Sequence, residues 1–111
     1  MIDWTRIREL RDEIGQDDFQ EIVDLFLFEV EDTIAELDAV SGNACLLEQK
    51  LHFLKGSALN LGFEALSRHC RAGERAAAKG NPEDVDFAQL KDIFMRSRAA
   101  FFREVKTQLA A

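Results

Sequence analysis

The segment LHFLKGSALNLG, residues 51–62, sets a nucleophile, a cation and a glycine close together at His52, Lys55 and Gly56. A neutral imidazole is a competent nucleophile near neutral pH. A lysine three residues further along a helix brings an ammonium group beside whatever is attached to the ring, where it would offset the charge of a phosphoryl group. Glycine costs a helix interior about 1 kcal/mol relative to alanine, so Gly56 requires a reason. One turn beyond the histidine, it leaves bare backbone beside the imidazole and admits a bulky partner. A surface histidine near an ordinary solvated lysine fits the same residues, and spacing alone leaves both readings open.

The other reactive side chains lack such company. His69, followed by Cys70 and Arg71, has no Lys-Gly after it and reads as a surface or packing histidine. Cys45, His52, His69 and Cys70 show no paired-ligand spacing, so no metal site is expected. Ser57 or Ser67 could be assembled with a histidine and an aspartate into a triad on paper. Nothing in the sequence positions an oxyanion hole, however, and small-residue packing accounts for both serines.

The helix that carries His52 must present it outward. At about 100° per residue, Leu47, Leu51, Leu54, Ala58 and Leu61 form one narrow core stripe. His52 lies well away from it, in a sector shared by Cys45, Glu48, Gln49, Gly56 and Leu59, with Lys55 at the flank.

The remaining segments read as companions of that helix. Asp3 can cap a short helix to about Ile14, with Trp4, Ile7, Leu10 and Ile14 on one side and Gly15 ending it. A long helix over about 17–40 follows, its stripe formed by Phe19, Ile22, Val23, Phe26, Val30, Ile34 and Leu37. Ser41-Gly42-Asn43 breaks it before the His52 helix, 44–61. Another, 63–79, turns Leu66, Cys70 and Ala77 inward and stops at Gly80-Asn81-Pro82. The last, 86–109, buries Phe87, Leu90, Phe94, Ala99 or Phe101, Phe102 and Val105. Short connections between long amphipathic helices predict an all-α fold: an antiparallel up-down four-helix bundle with a short N-terminal lid helix.

Composition agrees. A chain of 111 residues, 47% hydrophobic and 32% charged, suits one globular domain with one core, and a single proline with no tyrosine favours helices. A formal net charge of −7 argues against a nucleic-acid backbone or an anionic membrane surface as partner. Two cysteines do not make a disulfide framework, and no apolar run approaches the ~20 residues of a membrane span. With no leader at the start, the expected address is the cytoplasm, with both thiols reduced.

HFLKGSALNLG resembles the signature of histidine-containing phosphotransfer (HPt) domains, in which His-x-x-Lys-Gly precedes small residues and a later Leu-Gly. His52, Lys55, Gly56, Ser57, Ala58, Leu61 and Gly62 carry the match. IDWTRIRELRDEIGQDDF resembles the family's lid helix and second-helix start, and FEALSRHCRAGERAAAKGN its fourth helix, so a single free-standing HPt domain over 1–111 is expected.

The resemblance implies that His52 accepts a phosphoryl group on Nε2 from the aspartyl phosphate of a response-regulator receiver domain and donates it to another. Lys55 and Gly56 would assist. No cofactor of its own is implied, since the receiver supplies Mg²⁺ and an acidic pocket. Receivers, and a hybrid histidine kinase as a second class, are the expected partners of a monomer. With no Gly-rich nucleotide loop, autophosphorylation is not expected. The other function considered is a non-catalytic helical adaptor that binds receivers or a kinase, which would have no need of the nucleophile. The resemblance implies docking around His52 on the lid, second and third helices, with Phe53 as first anchor unless it packs between helices, Gln49 and Leu59 beside it, and Ile7 and Leu10 from the lid.

Overall fold

Three side-chain caps start helices where the sequence changes character. Asp3 Oδ1 accepts the Arg6 N–H at 3.1 Å, Asn43 Oδ1 that of Leu46 at 3.1 Å, and Asp86 Oδ1 that of Gln89 at 2.9 Å. In the computed structural model, which describes residues 2–110, these caps open α1 (Trp4–Ile14), α3 (Ala44–Asn60) and α5 (Phe87–Gln108). Between them run α2 (Gln16–Glu36) and α4 (Glu64–Ala78). The segment Leu37–Val40 tightens into a 3-10 turn rather than extending α2, and Pro82–Asp84 forms another before α5. No helix of the described residues is long and apolar enough to cross a membrane.

The long helices alternate in direction. Arg98 on α5 pairs with Glu31 on α2 and Lys91 with Asp38, so the numbering of α5 rises as that of α2 falls. Lys50 on α3 reaches Glu36 at the end of α2 at 2.6 Å. The expected stripes meet inside: Phe19, Val23, Val30, Ile34 and Leu37 face Leu47, Leu51, Leu54, Ala58 and Leu61, with Leu66, Cys70, Ala77, Leu90, Phe94 and Phe101 completing the core.

Several stripe assignments shift. Leu27 is buried while Ile22 and Phe26 are only half-buried, as are Phe87 and Val105 on α5. On α5, Phe101 and Ala100 are buried, whereas Ala99 is exposed and Phe102 is 45% exposed. Seven residues from Phe94 return almost to the same side of a helix and reach Phe101; Phe102 is rotated on by a further ~100°. It remains against the edge of Phe101, ring centroids 5.3 Å apart.

The lid is fastened at the α3–α4 corner. Gly62 turns the chain at φ +71°, and its carbonyl accepts the Asp3 N–H at 2.7 Å. A Cβ on Gly62 would lie 2.6 Å from the Asp3 carbonyl oxygen, so only glycine lets the two segments meet. Trp4 then stacks on Phe101 at 5.7 Å, and Arg11 donates to the Leu109 carbonyl at 3.0 Å. Packing of this kind places Ile7 and Leu10 in the core.

Candidate functional site

His52 sits at the middle of α3, flanked along the helix by the buried Leu51 and Leu54. The core stripe on either side fixes the backbone, while the imidazole points outward with 71% of its side chain exposed. Gly56 is exposed one turn on, and a Cβ there would meet nothing within 4 Å. Space for a helix-favouring alanine therefore exists, and the glycine answers no packing demand within the chain.

The partner of the imidazole comes from α4. Glu74 Oε2 lies 2.7 Å from His52 Nδ1, and its carboxylate also takes Lys55 Nζ at 2.8 Å through Oε1 and 3.4 Å through Oε2. Glu74 is 16% exposed. Burial pushes its carboxyl upward, but hydrogen bonds from Lys55 and His52 outweigh that and hold the pKa below the ordinary carboxylate value. An ionised carboxylate can only accept, so Nδ1 carries the hydrogen and donates it. In the neutral ring, a hydrogen on Nδ1 leaves the lone pair on Nε2, on an imidazole that is 71% exposed.

Gly73 brings this about. A Cβ at that position would lie 3.1 Å from Leu51 Cδ1 and 3.4 Å from Val85 Cγ1, so the glycine lets α4 lie close against α3 at the level of His52. Glu74, the next residue, then reaches the histidine and lysine together. Sequence reading did not single out Glu74. The signal present was a glycine inside a helix with a carboxylate beside it, which marks close approach of another element.

The other expected site residues divide. Phe53, Leu59 and Gln49 are exposed on α3, with Phe53 at 49%, and Gln49 Nε2 lies 3.7 Å from Cys45 Sγ. Ile7 and Leu10 are corrected: at 1% and 5% exposure they are the underside of the lid, committed to the bundle and not available to a docking partner.

His69 lines a small cleft with Asp84, Val85 and Asp86 beside the start of α5. Among the described residues no three His, Cys, Asp or Glu side chains converge as metal ligands would. Ser57 and Ser67 are both buried. Cys70 is buried too, and burial, followed by the charge of Glu74, pushes its thiol up to about 12.

Comparison with known proteins bears on this geometry. The family model described as "Hpt domain" matches residues 21–110. The phosphorelay intermediate protein YPD1 of Candida albicans is 32% identical over 108 residues, covering 94% of this chain, and the chain spans 57% of that relative's length. The crystal structure of histidine-containing phosphotransfer protein B (HptB) from Pseudomonas aeruginosa superposes with a TM-score of 0.82 at 25% identity, over 93% of this chain and 92% of that one.

Proposed function

The chain belongs to the Hpt domain family, and from that premise we propose that it is a phosphorelay intermediate that carries a phosphoryl group on His52 between receiver-domain aspartates. The observation that carries the reading is the Glu74 carboxylate 2.7 Å from Nδ1 of an imidazole that is 71% exposed: a donor at Nδ1 leaves Nε2 of the neutral ring as the nucleophile.

The chemistry follows from that arrangement. The Nε2 lone pair attacks phosphorus, the bond from phosphorus to the aspartyl oxygen breaks, and the donor leaves as a carboxylate. Positive charge that develops on the ring lies against Glu74, and Nδ1 keeps its proton throughout. In the onward step the electrons of the P–N bond return to Nε2 as the acceptor carboxylate takes the phosphoryl group, so no proton has to move in either direction. Phosphoryl transfer of this kind rests on positioning and charge neutralisation. This chain supplies a rigid helix, the Lys55 ammonium and the opening at Gly56; Mg²⁺ belongs to the receiver. Partners are response-regulator receivers, and a hybrid histidine kinase that carries one. The protein acts as a monomer in the cytoplasm, without nucleic acid.

The test is to incubate the protein with each phosphorylated receiver of its source organism and map the label. Acid-labile, alkali-stable label on His52, absent from His52→Gln, is the expected result. Binding of receivers with no transfer would leave an adaptor, and undiminished labelling of His52→Gln would move the chemistry elsewhere.

A further inference from the structure

The cations of this acidic chain are unevenly satisfied. Lys50 and Lys55 on α3 are ion-paired, as are Lys91, Arg96, Arg98 and Arg103. On α4, by contrast, Arg68, Arg71, Arg75 and Lys79 are all exposed, and among the described residues none makes an ion pair or a side-chain hydrogen bond. At 100° per residue the four fall within an arc of about 80°, opposite the buried Leu66, Cys70 and Ala77. With 21 Asp and Glu against 14 Lys and Arg in the chain, carboxylates to neutralise them are plentiful elsewhere.

The stripe adjoins the candidate site. Arg68 and Arg71, with Lys55, Leu59, Ser67 and Glu64, line a groove of about 570 Å³ between α3 and α4. Lys55 is the common member: it lies in this groove and also binds the carboxylate that holds His52. A partner that brings an aspartyl phosphate to Nε2 therefore has this groove beside its point of contact.

We propose that the α3–α4 groove, with Arg68 and Arg71 at its rim, receives an acidic loop of the receiver domain that docks on His52, so that the docking surface extends onto α4. The inference rests on the phosphotransfer reading and adds the part of the surface that steers the encounter. A domain that holds Mg²⁺ beside a phosphorylated aspartate must gather carboxylates around it. Its reactive face is consequently acidic, and this chain, acidic overall, would repel it everywhere except at a local concentration of uncompensated cations. Lys55 lies at the end of the groove nearest His52, Leu59 supplies an apolar part of its wall further along α3, and Glu64 sets the far limit of the basic surface.

The probe is the receiver that transfers fastest to the parent protein. Arg68→Glu/Arg71→Glu is compared with Arg96→Glu/Arg103→Glu, which makes the same change of charge on α5. Transfer rate is followed against receiver concentration, and thermal melts establish that each variant is folded. The α4 variant should lower the second-order rate constant by about ten-fold or more at low salt, with the gap closing as salt screens the charges, while the limiting rate at saturation stays near that of the parent. The α5 variant should change little. Equal effects of the two variants, or an α4 variant with the parent's rate constant and salt dependence, overturn the proposal while the phosphotransfer reading stands. A parent that is a dimer and an α4 variant that is a monomer would assign the groove to a second copy of this chain and overturn it as well. Transfer from no receiver overturns both readings.

Discussion

Nδ1 of His52 lies 2.7 Å from Oε2 of Glu74, although the two residues are 22 positions apart and on different helices. This contact decides which ring nitrogen is free, and Lys55, held by the same carboxylate at 2.8 Å, is tied to it. Glutamine at position 74 could still accept from Nδ1–H, but it can also donate, and it carries no charge to face the ring or the ammonium group. Glu74→Gln should slow transfer by about ten-fold, equivalent to about 1.4 kcal/mol at the barrier, and Glu74→Ala by more.

Stability should follow the same carboxylate. The folded-state pKa of Glu74 is depressed, so its contribution is present above the unfolded value and is lost as pH falls through the folded one. Melting temperatures of the parent and Glu74→Gln should therefore differ at neutral pH, with the parent higher, and converge in acid below the ordinary carboxylate range. A constant difference across that range would show that the ionised carboxylate does not stabilise the fold.

Gly56 separates stability from access. Because a Cβ meets nothing within 4 Å, Gly56→Ala should raise stability by about 1 kcal/mol, the helix-propensity difference, with the fold unchanged. Gly56→Gln should stay folded yet transfer about ten-fold more slowly, as its side chain occupies the approach to Nε2. Melts and transfer rates on the same samples distinguish these outcomes, and normal transfer by Gly56→Gln would remove the access explanation.

Phe53 is half exposed beside His52, a position from which an interface aromatic can act. Phe53→Ala should weaken binding of an unphosphorylated receiver by roughly 1 kcal/mol or more, read by titration, while the melting temperature changes little. Amide shifts on titration should surround His52; a set confined to α5 would place docking elsewhere.

The two thiols should differ sharply in reactivity. Cys45 is exposed, whereas Cys70 is buried with its pKa pushed up to about 12. Ellman's reagent should modify Cys45 in the native protein and reach Cys70 only in denaturant. Rapid native labelling of both would mean that α4 opens readily from α3.

What the sequence determined by itself is what a helix determines locally. The spacing of Leu47, Leu51, Leu54 and Ala58 orients α3, and the same 3.6-residue period then places His52 outside, Lys55 at its flank and Gly56 one turn on. Asp3, Asn43 and Asp86 mark helix starts for the equally local reason that a short side chain can bond the backbone three residues ahead. Tertiary structure decided whatever depends on two elements at once. Ile7 and Leu10 have the apolar pattern of a docking face, and the closure of the lid against Gly62 and Phe101 turned that face into core. The one local mark at Glu74 is the helical glycine before it, which points to a close neighbour without saying which residue is met. Glu74 reaches His52 because Gly73 lets α4 approach Leu51 closely, and the registration of one helix against another is set by packing between residues that no single-helix period relates.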